Sequence, residues 1–156
     1  MFESEKQITK EEIFVGKNYD SYNKRWGSMK KRNSNLSWNW SIFLFGPLWL
    51  GYRKLHLYAI LYILIDTLTS FVTKNSFGVY IGVQGISFIM WVGLAIMGNY
   101  LYQVKTNKAI NTISNEDELK RQGGTNAGFV FLYIVVLLII NITIAYQSYS
   151  NMTIQG

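Results

Sequence analysis

Hydrophobic positions along this chain fall into long unbroken runs, not into an alternating pattern. Leu57 to Thr73, Val79 to Tyr102 and Gly128 to Gln147 are each of roughly membrane-spanning length, and Asp66 is their one formally charged residue. A soluble chain of this size needs polar positions among its apolar ones to make a surface, and these runs leave no solvent face. The pattern therefore predicts an all-α membrane protein with transmembrane helices over 57–73, 79–102 and 128–147.

Ahead of the runs lies a basic leader, residues 1–36, that reads as amphipathic helices. Thr9 followed by Glu12 has the spacing of a capping box, in which a hydroxyl and a carboxylate three residues apart satisfy the first free amides of a helix. Tyr19, Tyr22, Trp26 and Met29 share one helical face, flanked by Lys24, Arg25, Lys30, Lys31 and Arg32. Two readings fit this stripe: an interfacial helix with its cations at anionic lipid headgroups, or a small cytosolic helix packed on its neighbour.

Between leader and first run stands SWNWSIFLFGPLWLGYRK, Ser37 to Lys54. Its apolar part is about 14 residues, or about 21 Å as helix, against a hydrocarbon core of about 30 Å. Gly46-Pro47 interrupts it, because proline lacks a backbone donor and clashes with the preceding turn. Trp38, Trp40 and Trp49 near its ends suit the membrane interface. Residues 37–52 are therefore expected to form a re-entrant or interfacial helical hairpin, with Arg53, Lys54 and His56 snorkelling at the water boundary.

Charge placement bears on the same point. If the hairpin returns to its starting side, fourteen of the fifteen cations share one face of the membrane and Lys74 stands alone on the other. If the segment crosses, the split becomes nine against six. The positive-inside rule selects the hairpin, and with it a cytoplasmic N-terminus and a short external tail over 148–156. Net charge +6 and a pI near 9.5 are thereby assigned to loops facing anionic lipid, with no nucleic-acid partner expected.

Candidate chemistry is sparse. The absence of cysteine excludes disulfides, thiol catalysis and thiolate metal sites. Neither a nucleophile-base-orienter trio nor a metal-ligand cluster nor a phosphate-binding glycine loop can be assembled, so no enzyme activity, cofactor or metal is expected. Asp66, deep in a span, is costly to bury, and Thr69, Ser70 and Thr73 follow it on one polar stripe facing other helices. It is either a protonated structural hydrogen-bonding group or a proton or cation site. Gly78, Gly82 and Gly85 form a small-residue face for helix packing, and Gln84, Ser87, Asn99 and Asn141 offer hydrogen bonds between helices.

Several of these residues also resemble a known family. Phe14-Val15-Gly16-Lys17-Asn18-Tyr19, Ser37-Trp38-Asn39-Trp40, Phe45-Gly46-Pro47-Leu48-Trp49-Leu50 and Tyr52-Arg53-Lys54 are similar to the pattern of the bacterial membrane family called domain of unknown function 2628. Asn99-Tyr100-Leu101-Tyr102 and Gly123-Gly124-Thr125 extend the resemblance to roughly residues 13–125. Leu55-His56 departs from the Met-Tyr expected after the Tyr-Arg-Lys triplet, and the cysteine-rich zinc module of some relatives is missing. The resemblance implies fold and location and transfers no catalytic residue. The sequence expectation is a non-catalytic protein that binds a membrane-protein partner or lipid at the inner membrane surface. The alternative is a subunit of a homo-oligomeric channel or transporter that uses Asp66.

Overall fold

The computed structural model describes residues 9–72 and 77–154; Thr73 lies outside them, and so do the side chains of Asp66, Thr69 and Ser70. The described chain is all helical, with α1 at Lys10–Val15, α2 at Tyr19–Lys31, α3 at Trp40–Phe45 and α4 at Pro47–Tyr52. They are followed by α5 at His56–Val72, α6 at Phe77–Thr112, α7 at Glu116–Gln122 and α8 at Ala127–Ile154.

Local sequence explains the boundaries. The Thr9 hydroxyl accepts from the Glu12 amide at 3.2 Å and starts α1, which stops at Gly16, where φ is +72°. A 3-10 turn over Gly16–Asn18 leads into α2. There Tyr22, Trp26 and Met29 are buried against the C-terminal half of α6, so the aromatic stripe faces protein. Of the two readings of α2, packing on a neighbour is the one realised for this face.

The Gly46-Pro47 interruption is the junction between α3 and α4. Gly46 takes φ +49°, and Pro47 occupies the first turn of α4, where its missing N–H and fixed φ fit. The ring of Trp91 on α6 lies where a Gly46 side chain would point, 2.8 Å from an ideal Cβ. Its indole donates to the Phe43 carbonyl at 2.7 Å, which holds the break against α6.

With 36 residues, α6 is about 54 Å long, far more than a hydrocarbon core of about 30 Å. The apolar run expected to span the membrane ends at Tyr102, where hydropathy falls. The helix continues to Thr112, with α1, α2 and α7 packed around its polar end and α3 against the turns before it. These short helices and that end enclose the core, which includes Phe14, Ile42, Leu50, Tyr102 and Leu119.

Among the described residues one helical stretch, Gly85–Thr112, is long and apolar enough to cross a membrane by length and composition. The fold therefore supports one span and not the three expected. α5 has 17 residues, about 25 Å, and contributes a shorter apolar stretch over His56–Ile65. α8 has 28 residues, but many of the side chains in its second half lie outside the described set.

Candidate functional site

The extended segment before α3 lies along α6 and is bonded to it. The amides of Ser37 and Asn39 donate to the carbonyls of Ile96 and Ala95 at 3.0 and 2.9 Å. Asn99, fully buried, gathers the remaining polar groups. Its Nδ2 donates to Ser37 Oγ at 3.1 Å, its Oδ1 accepts from Asn39 Nδ2 at 2.8 Å, and its carbonyl accepts from the Trp26 indole at 3.0 Å. Asn39 Oδ1 then caps α3 by accepting from the Ile42 amide at 3.2 Å. Asn99 is thus more than glue between spans: it ties α2, the SWNW segment and α6 into one joint.

Beside that joint the structure buries Arg53, which is 2% exposed and not at a headgroup as expected. The physical reason is aromatic cover. Its guanidinium carbon sits 4.7 Å from the ring centre of Tyr22, 5.2 Å from Tyr102 and 5.7 Å from Tyr52. Each such contact supplies about 0.5–2 kcal/mol, while taking an unpaired cation out of water costs several. Nη1 donates to the Val15 carbonyl at 3.5 Å, Nε has no hydrogen-bond partner, and no carboxylate among the described residues pairs with the group. Burial raises the Tyr22 phenol above its ordinary value, and the charges of Arg53 and Arg25 pull it partly back. It stays neutral at physiological pH.

Further cations converge here. Lys105 Nζ donates to the carbonyls of Arg53 and Lys54, both at 3.0 Å, and Lys54 Nζ donates to the Arg121 carbonyl at 2.7 Å. Lys54 is therefore engaged at the end of α7 instead of reaching for headgroups. These lysines serve helix C-termini, where free carbonyls and the negative dipole end attract cations. On α2 and at its C-cap, Lys24, Lys30, Lys31 and Arg32 are exposed and Arg25 is half-buried. Among the described residues none of these five makes an ion pair.

The tryptophans divide. Trp40 is 62% exposed and forms an edge-to-face cluster with Trp38 and Phe43, whereas Trp49 is 6% exposed and packs edge-on against Tyr102. Interfacial placement thus suits Trp38 and Trp40, and Trp49 belongs to the core. Aromatic type alone did not distinguish them.

Between α2, α3, α4 and α8 opens a cavity of about 550 Å³. Its lining combines Arg25, Arg53, Tyr22 and Tyr52 with Phe45, Leu48, Val130 and Ile134. Sequence reading did not find it, since α8 joins from the far end of the chain. Among the described residues no group of His, Cys, Asp or Glu could hold a metal ion.

Fold and site define an all-α protein with a helix able to cross a membrane and a compact cationic head built around the polar end of that helix. The family model described as "Protein of unknown function (DUF2628)" matches residues 5–110, and the chain belongs to that family. The match holds α1 to α5 and nearly all of α6, and so includes both Asn99 and Arg53. Comparison with curated proteins and with solved structures gives no match.

Proposed function

We propose that this is a non-catalytic, multi-pass membrane protein whose head, on the inner surface, binds anionic lipid. The carrying observation is that cations of α2 without an ion pair among the described residues accompany outward-facing apolar side chains on the long helices. Leu57, Ile60, Leu64 and Leu68 on α5, Phe88 and Ile89 on α6, and Phe131, Leu132 and Ile142 on α8 are all exposed. An apolar surface of that extent is at home in lipid and not in water. On this reading α5, α6 and α8 are the spans, with α5 completed by its flanking residues.

Threading follows from proximity. Val15, before the hairpin, touches Arg53, after it, and the Gly124 amide donates to the Phe14 carbonyl at 2.7 Å. Leader, hairpin exit and the loop before α8 therefore share a side, which supports the fourteen-to-one charge split and a cytoplasmic head. Exposed lysines and arginines near an anionic surface contribute about 1 kcal/mol each before screening.

The test uses the full chain in vesicles of phosphatidylcholine and phosphatidylglycerol, with one lipid or the other brominated. Quenching of the exposed Trp38 and Trp40 should be stronger from brominated phosphatidylglycerol, and the excess should fall with salt. It should also fall in the variant with Lys24, Lys30, Lys31 and Arg32 changed to Gln. Equal quenching by both lipids at low salt contradicts the proposal.

A further inference from the structure

We infer that the cavity between α2, α3, α4 and α8 is a stoichiometric site for one anionic amphiphile, its phosphate on Arg53 and Arg25 and its acyl chain along Phe45, Leu48, Val130 and Ile134. The inference rests on the reading that the head faces anionic lipid, and it assigns a discrete site where that reading needs only a charged surface.

Three observations carry it. Arg53 is almost wholly buried yet lines the cavity, its Nε is without a hydrogen-bond partner, and no carboxylate among the described residues pairs with it. A guanidinium presents a planar fork suited to two phosphate oxygens, so an anion in the cavity would supply the counter-charge that no carboxylate among the described residues provides. Arg25 lines the same cavity and is held by a 3.4 Å bond from Nη1 to the Trp38 carbonyl, which leaves its other donors free for the same anion. The Tyr22 and Tyr52 rings keep Arg53 in place from the sides.

The apolar wall of the lining decides what kind of anion fits. Phe45 and Leu48 flank the α3–α4 break, and Val130 and Ile134 are one helical turn apart on α8. A free phosphate would leave that wall unused. An acyl chain would cover it and continue along the outward apolar face of α8, where Phe131 is 72% exposed. At about 550 Å³ the cavity has the size of a small-molecule site and takes a headgroup with the first part of a chain, not a whole lipid.

Native mass measurement of the full chain released from detergent tests this, with phosphatidylglycerol, phosphatidylcholine and glycerol phosphate as probes. The expected result is a single phosphatidylglycerol adduct, about tenfold or more tighter than phosphatidylcholine, which has the same phosphodiester but brings a choline cation against Arg53 and Arg25. Arg25→Gln, on a half-buried rim residue, should weaken the adduct by a similar factor, and Ile134→Trp should block it by filling the apolar wall. Arg53→Gln should abolish it in protein whose tryptophan emission remains native. The Gln variant of Lys24, Lys30, Lys31 and Arg32 should keep the adduct, which separates this site from the surface reading. Equal binding of phosphatidylcholine, glycerol phosphate binding as tightly as phosphatidylglycerol, or no saturable adduct each overturns the inference.

Discussion

Asn39 donates its side-chain Nδ2–H to the Oδ1 of Asn99 over 2.8 Å, joining two buried amides 60 residues apart. Around this bond the chain entering α3 is fastened to the long helix, and the Trp26 indole closes the joint from α2. A buried amide left without its partner costs about 1–3 kcal/mol. Asn99→Ala strands groups on both Asn39 and Ser37, and should lower stability by about 3 kcal/mol, read as thermal unfolding in detergent by tryptophan emission. Asn39→Ala should cost less, and the double variant should fall short of the sum by about 1–2 kcal/mol. Additive effects would mean that the two side chains do not act together.

Glycines at close approaches should behave unlike glycines in open helix. Gly46→Ala faces a left-handed backbone, worth about 1–2 kcal/mol, together with the Trp91 ring. At Gly98 an added methyl meets Ile42 of α3, so Gly98→Ala should also destabilise. Gly93 has nothing within 4 Å of its would-be Cβ, and Gly93→Ala should be neutral or stabilising by up to about 1 kcal/mol. Equal losses at all three positions would contradict the packing at the α3–α4 break.

Alkaline titration probes the arginine cage. The folded Tyr22 phenol ionises above its ordinary value near 10, chiefly because it is buried. Its neutral form is therefore favoured by folding. That contribution is complete below about pH 10 and is lost as pH rises toward the folded value. Tyr22→Phe should flatten the fall in stability above pH 10, and an unchanged slope would place the phenol in water.

Asp66 is the remaining polar candidate if α5 spans as proposed. As a protonated hydrogen-bonding group it should tolerate Asp66→Asn, with thermal stability in detergent unchanged. Asp66→Leu should weaken helix association by about 1 kcal/mol. A large loss of stability in Asp66→Asn would point to a role that needs the carboxyl itself.

Short-range signals in the sequence were the reliable ones. The Thr9 cap, the break at Gly46-Pro47 and the stripe of Tyr22, Trp26 and Met29 depend on residues within a few positions of one another, and all three appear in the fold. What could not be read depends on distant partners. Arg53 sits beside Lys54 at an apparent water boundary, and only the arrival of Tyr22 and Tyr102 from other helices turns it inward. Asn99 is one amide among several in the apolar runs, and only the crossing of the SWNW segment over α6 gives it its partners. The length of α6 is unreadable for a related reason: hydropathy marks where apolar surface stops, near Tyr102, whereas the helix continues to Thr112 because its polar turns find packing.

On the proposed threading, residues before and after the 37–52 segment lie on one side of a membrane crossed by the long helices. Because the chain has no cysteine, single cysteines at Ser28, Asn75, Ser114 and Ser150 can be labelled on intact cells with a membrane-impermeant reagent. Asn75 and Ser150 should react, and Ser28 and Ser114 should react only after the membrane is opened. Labelling of Ser114 on intact cells while Asn75 stays protected would contradict the threading.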